Sequence, residues 1–193
     1  MALAAAIRVR DQGRRAPDRL LLAYPFVHFP VPALGSETAA EMLGLSPVLR
    51  HPASDIEHMV RNYVGRLSAL PPLAFPGAAE LAGLAPTAIA VCKYDDLWPS
   101  GDLLATQLEE SGVPVHRYLA QGTLHGHLNR APSLAEVDRT LAVTKTTDFA
   151  RGQAGSSTLC RVATTTAAPP IASAASTAAN TEALVLRPTA SLR

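Results

Sequence analysis

The sequence predicts an α/β fold with about three parallel strands, flanking helices and a low-complexity C-terminal tail. Three observations carry this. Two short, continuous apolar runs, Leu20-Leu21-Leu22-Ala23 and Ala88-Ile89-Ala90-Val91-Cys92, and an alternating stretch through Val113, Val115 and Arg117 read as strands. Segments with helical spacing separate them, which implies a parallel sheet with right-handed crossovers. Composition then shifts near residue 150. Residues 1–150 form the expected domain, whereas 151–193 are mostly Ala, Thr, Ser, Gly and Pro. Such a tail cannot bury enough apolar surface to offset its ordering entropy and is expected to be disordered.

The elements follow in order. Residues 2–11 are Ala-rich with Leu3, Ile7 and Arg10 at helical spacing, closed by Gly13 as a C-cap. Residues 20–23 are expected to form a strand buried on both faces, ended by Tyr24-Pro25. Pro30, Pro32, Pro47 and Pro52 make the next stretch irregular, apart from a short helix over 37–43. Ser54-Asp55-Ile56-Glu57 reads as a capping box opening a helix whose apolar face is Ile56, Met59, Val60, Tyr63 and Val64. Residues 71–86 form a Pro-rich loop, and 87–94 a second buried strand. Residues 100–111 form a helix capped by Ser100, with Asp102 in its first turn and Gly112 ending it. Residues 113–119 are the third strand, and 133–149 a last helix with Leu134, Val137 and Leu141 on one face.

Composition excludes several functions. The 193 residues carry a net charge of +1, which gives no electrostatic reason to expect nucleic acid or an anionic membrane as partner. No stretch approaches the roughly 18 apolar residues of a membrane span, and the apolar residues 1–7 are too short for a signal peptide. A cytoplasmic location is expected. Cys92 and Cys160 sit in no metal or redox spacing; Cys92 reads as a small buried hydrophobe.

In open parallel sheets function gathers at the carboxyl ends of the strands. Asp95 lies just past the second strand and His125 in the loop after the third. A catalytic imidazole needs a carboxylate on its far nitrogen, to fix its tautomer and to stabilise the imidazolium formed during catalysis. Asp95 and His125 are the candidates for those roles. The plainer alternative is a turn carboxylate and an ordinary loop His-Gly pair. Asp96 competes with Asp95, and its plainer reading is a solvated turn residue. His125 and His127 alone make a poor metal site, since a third ligand is wanting. No metal or cofactor is expected. His28, His51, His58 and His116 read as scattered surface or loop residues.

Four segments carry a resemblance. They are residues 4–13; Leu20-Leu21-Leu22-Ala23-Tyr24-Pro25; residues 81–87 running into Tyr94-Asp95-Asp96-Leu97-Trp98-Pro99-Ser100-Gly101; and Gly112-Val113-Pro114-Val115 running through Leu124-His125-Gly126-His127-Leu128-Asn129. Together, over residues 2–145, they resemble the C-terminal half of an α/β-hydrolase of the hormone-sensitive-lipase-like esterase group, bacterial branch. The last two segments are the specific ones. The resemblance implies a partial α/β-hydrolase fold and carboxylic ester hydrolysis, with Asp95 as the acid and His125 as the general base of a Ser-His-Asp triad. Asp96 and His127 match neighbouring, non-catalytic positions.

Two departures accompany it. The family places a Gly-x-Ser-x-Gly elbow before the helix matching residues 2–11, and a His-Gly-Gly oxyanion motif further upstream. Neither occurs here: no Ser has Gly at both minus two and plus two. The chain by itself is therefore expected to be inactive. A small ester would be its substrate only once an N-terminal half completes the site. The alternative is a non-catalytic binding module, or half of a split hydrolase that pairs with an N-terminal partner. Without the nucleophile strand, residues 20–23 expose an apolar edge, so marginal stability and self-association are expected. Phe26, Phe29 and Tyr63 could line a substrate mouth, with core packing as the plainer role.

Overall fold

A computed structural model describes residues 1–129 and 134–145; the expected tail at 151–193, the end of the expected last helix and the joint before it at 130–133 lie outside them. The elements run α1 (Ala2–Asp11), β1 (Leu20–Ala23), α2 (Ser36–Met42), α3 (Ala53–Val64), β2 (Thr87–Tyr94), α4 (Trp98–Glu110), β3 (Val115–Leu124) and α5 (Ala135–Lys145), with short 3-10 turns at Pro47–Leu49, Pro76–Ala78 and His127–Asn129. The described strands form one parallel sheet in the order β1-β2-β3. No helix among the described residues is long and apolar enough to cross a membrane.

Register explains which side chains are covered. Leu20 pairs with Thr87, and Leu22 with Ile89. Leu20, Leu22, Ile89 and Val91 pack against Leu3, Ala6 and Ile7 of α1 and Leu104, Ala105 and Leu108 of α4. The opposite face of β2 presents the small residues Ala88, Ala90 and Cys92. There α5 lies against β2 and β3, and Glu136 accepts a hydrogen bond from Tyr118 Oη at 2.7 Å and from the Gln121 amide at 3.2 Å. β2 is thus covered on both faces, as expected. β1 is not: Leu20 and Leu22 are buried, but Leu21 is 50% exposed and Ala23 is exposed. The expectation of a doubly buried first strand fails because, among the described residues, β1 is an edge strand that pairs with β2 alone and is covered on one face.

Several local expectations shift for stated reasons. The capping box does not form, because Pro52 enters α3 from extended backbone and places Ser54 inside the first turn. Ser54 meets Asp55, and Glu57 instead pairs with Arg61 one turn on at 2.8 Å. On α3, Ile56 and Val60 are buried, but Met59 and Tyr63 are exposed. Of the three apolar positions expected on the last helix, Val137 on α5 is buried, while Leu141 and Leu134, the residue before α5, are exposed. α1 closes through Gln12, one residue before Gly13, which takes the positive φ of 61°. α4 begins at Trp98, so Ser100 is interior rather than a cap. It is fully buried, and its Oγ accepts hydrogen bonds from the Val27 and His28 amides at 2.9 and 3.1 Å. Asp102 is not in the first turn; it pairs with Arg117 on β3 at 3.1 Å.

α4 and β2 approach closely at Gly101. A Cβ there would stand 2.6 Å from Val91 Cγ1 and 3.3 Å from the Pro25 ring. Gly101→Ala is therefore expected to cost about 1–3 kcal/mol through overpacking, read as a lower urea midpoint with an unchanged denaturant slope.

Candidate active site

The site stands where β2 and β3 end. Between Cys92 and Tyr94 the register slips: Cys92 faces Ala120, whereas Tyr94 faces Leu124. β3 therefore carries extra residues, and Gly122, at φ 67°, sits among them. Such a bulge bends and twists a strand and re-aims the residues after it. Here it returns Leu124 beside Tyr94, and so brings His125 beside Asp95. β3 accordingly runs to residue 124 rather than 119; Gln121-Gly122 looks like a turn in sequence but is an irregularity inside the strand.

His125 Nδ1 lies 2.7 Å from Asp95 Oδ2. Asp95 Oδ1 accepts the Leu97 amide at 2.9 Å. Both carboxylate oxygens are thus engaged, and the Asp95 side chain is 1% exposed. An ionised carboxylate accepts only, so His125 donates from Nδ1, and Nε2, which meets no hydrogen-bond partner among the described residues, is left as an acceptor. The imidazole is 31% exposed. A buried carboxylate behind a partly open imidazole is the arrangement required of an acid and a general base.

Two rings touch this imidazole. Tyr24, at the end of β1, lies 4.8 Å away between centroids and tilted by 58°. It holds an unusual φ of 39°, with its amide on the Ala90 carbonyl at 2.6 Å. His51 is the second ring, at 5.5 Å. Neither stands out in the sequence as a site residue. His51 reads there as a loop residue in a Pro-rich stretch, and its approach to His125 has no local signal.

Asp96 is not a solvated turn carboxylate. Its Oδ1 and Oδ2 accept from Arg50 Nη2 and Nε at 2.7 and 2.9 Å, and Oδ2 also accepts the His51 amide at 2.7 Å. Burial opposes its charge, but Arg50 and His51 outweigh burial and hold the carboxyl below its ordinary range. Adjacent carboxylates therefore take separate partners, Asp95 the imidazole and Asp96 the guanidinium.

His127 turns away from His125 into the core. Its Nδ1 is 3.2 Å from Cys92 Sγ and its Nε2 is 2.9 Å from Thr140 Oγ1. Thr140 donates its single hydroxyl proton to the Glu136 carbonyl, so it accepts from His127 Nε2, and Nδ1 is left to accept from the thiol. Burial favours this neutral ring and lowers its pKa. Burial also pushes the Cys92 thiol up to about 11. Cys92 is a buried donor rather than a nucleophile, and no alkylation by iodoacetamide is expected in the native protein at pH 8, against ready labelling in denaturant. Among the described residues no group of three His, Cys, Asp or Glu is arranged to hold a metal ion. His28 is also no loose loop residue, since its Nε2 meets Gln107 at 2.8 Å and its Nδ1 meets Ser100 at 3.1 Å.

Two apolar cavities, of about 520 and 470 Å³, flank the Pro71-Pro72 turn; Phe29 lines one and Tyr63 the other, and neither includes Asp95 or His125. Phe26 and Phe29 pack with Phe75 against Ile56, Val60 and Leu97, which is the plainer of their two expected roles.

Comparison with known proteins agrees with this architecture. A family model described as alpha/beta hydrolase fold matches residues 1–129. Esterase LipI of Mycobacterium tuberculosis (strain ATCC 25618 / H37Rv) is 32% identical over 136 residues, which are 68% of this chain and 40% of that protein. A hyperthermophilic esterase from the archaeon Pyrobaculum calidifontis superposes with a TM-score of 0.58 at 28% identity, over 74% of this chain and 44% of its own. EstE1, a thermostable carboxylesterase cloned from a metagenomic library, shares the fold with a TM-score of 0.61 at 23% identity, over 74% of this chain and 50% of its own. This chain thus spans half or less of the length of these relatives. With its parallel sheet, the matching family model and esterases as relatives, the chain belongs to the alpha/beta hydrolase family, in its hormone-sensitive-lipase-like group.

Proposed function

We propose that this chain supplies the acid and the base of a carboxylic ester hydrolase, Asp95 and His125, to a site whose nucleophile and oxyanion donors lie outside its 193 residues. The observation that carries the reading is the 2.7 Å bond from His125 Nδ1 to the buried Asp95, with Nε2 left free. In the proposed reaction a Ser hydroxyl gives its proton to Nε2 as it attacks the ester carbonyl. His125 then returns that proton to the departing alkoxide, leaving an acyl-enzyme. Water repeats the two steps, releasing the acid and restoring Ser. Asp95 keeps Nδ1 protonated throughout and stabilises the imidazolium.

The chain by itself lacks more than the Ser. A single oxyanion donor is typically worth about 10²–10³ in rate, and no acyl-enzyme can form without the nucleophile. Supplying the N-terminal half of an esterase relative, by co-expression or fusion, is expected to produce p-nitrophenyl ester turnover that disappears in His125→Ala. Turnover that survives His125→Ala would remove the base from the mechanism.

A second reading rests on β1. This edge strand, with Leu21 half exposed, is a template for pairing with another chain. A partner half, or a second copy in its absence, would dock there. Light scattering is expected to show self-association that Leu21→Lys reverses; a monomer with a sharp, cooperative melt would count against it.

A further inference from the structure

We infer that Asp96 is a positioning residue for the neighbouring acid–base pair: through Arg50 and the His51 amide it fastens the segment between α2 and α3 beside Asp95–His125 and sets the His51 ring against the imidazole of His125. The inference deepens the proposed function and rests on the reading of Asp95 and His125 as acid and base.

The connections are specific. Arg50 approaches Asp96 as a fork, with Nη2 on Oδ1 and Nε on Oδ2 at 2.7 and 2.9 Å, and its Nη1 donates to the Met42 carbonyl at 2.8 Å. The guanidinium thus ties the end of α2 to the turn after β2. The His51 amide adds the third bond to Asp96, at 2.7 Å. The Asp96 side chain is 10% exposed and that of Arg50 23%, so this fork is shielded as surface ion pairs are not. His51 is also fixed at its ring: Nδ1 meets the Arg50 carbonyl at 3.1 Å. A carbonyl only accepts, so this Nδ1 is the protonated one. Backbone and ring of His51 are both pinned, and the ring ends 5.5 Å from that of His125.

The consequence falls on His125. Its Nδ1 is held by Asp95, its ring is flanked by Tyr24 and His51, and its Nε2 is free. A single hydrogen bond leaves an imidazole able to swing about it; two ring contacts restrict the swing. The adjacency of the two carboxylates matters here. The acid that orients the base and the anchor that fixes its neighbour occupy consecutive positions on one turn, so they move together. Lys would be a poor substitute for Arg50, since a point charge cannot reproduce the fork.

Nuclear magnetic resonance on the 193-residue chain tests this without any need for turnover. The wild-type protein is expected to show a downfield His125 Nδ1 proton and a ring-to-ring Overhauser contact between His51 and His125. In Asp96→Asn the contact is expected to vanish, and the Nδ1 proton to exchange with water about tenfold faster or more, as charge-assisted bonds that hold the segment are lost. Arg50→Lys is expected to fall between. His51→Ala leaves the fork intact and serves where Asp96→Asn fails to fold; it is expected to speed the same exchange. A wild-type chain without the Nδ1 proton would overturn the acid–base reading and this inference together. A wild-type chain that has it, with exchange unchanged in folded Asp96→Asn or in His51→Ala, would overturn the inference alone.

Discussion

Asp95→Asn, placed in a chain completed by the N-terminal half of an esterase relative, is expected to lower kcat by about 10⁴-fold with little change in KM. The magnitude depends on where the second carboxylate oxygen goes. Asp95 Oδ1 accepts the Leu97 amide at 2.9 Å while Oδ2 accepts from His125. An Asn has one acceptor oxygen and one donor nitrogen. The backbone amide of Leu97 is buried with it and demands the oxygen, so the Asn nitrogen must face His125 Nδ1. That imposes the opposite tautomer, with the proton on Nε2, where it cannot accept a proton from a Ser. The geometry of the site stays intact and its chemistry fails. Leu97→Pro would release the oxygen but break the turn, so the Asn variant is the cleaner measurement. Comparable kcat in the two completed chains would mean that Asp95 does not set the tautomer of His125.

Asp96→Ala is expected to be the most costly of the polar substitutions for stability, at about 2–4 kcal/mol, or roughly a 5–15 °C fall in Tm for a domain of this size. Three donors lose their acceptor, among them a guanidinium that is only 23% exposed. The remaining solvent access of Arg50 keeps the cost below that of a fully buried orphaned charge. The pH dependence has a defined sign. Asp96 has its carboxyl lowered from 3.8 on folding, so its stabilisation is complete above that value and is lost as pH falls through the folded one. The gap between wild type and Asp96→Ala is therefore expected to stay level across roughly pH 5–8 and to close in strong acid. His127 adds a separate acid sensitivity. Its pKa is lowered from 6.5 by burial, so its contribution is complete above 6.5 and is lost as pH falls through the folded value, in both proteins alike. A gap that closes near pH 6.5 would assign the effect to the wrong group.

The strands were legible because their signals are local. Residues 20–23 and 87–94 are apolar runs bounded by turn chemistry, and both strands stand where that pattern puts them. The meeting of Asp95 with His125 was legible for a related reason: each comes after a strand on the same edge of one sheet, and topology brings such positions together. The features that the sequence concealed are non-local. Whether β1 is covered on one face or two depends on which helices reach it, and nothing in Leu20-Leu21-Leu22-Ala23 encodes that. Asp96 reads as solvated in the sequence because its partner Arg50 lies 46 residues away. Ser100 reads as a cap because Ser favours that position, but the helix starts two residues earlier and the Ser100 hydroxyl serves the backbone after β1 instead. His51 lay in a stretch where prolines erase periodicity.

Whether Asp95 and His125 await a nucleophile from outside the chain is decided by the mass of the 193-residue chain after treatment with a fluorophosphonate, paired with its p-nitrophenyl ester turnover. An unmodified mass and turnover no faster than free imidazole are expected, because the nucleophile is proposed to lie outside these residues. A single phosphonyl adduct on a Ser, with ester turnover that vanishes in His125→Ala, would contradict that proposal and show that the chain carries its own nucleophile.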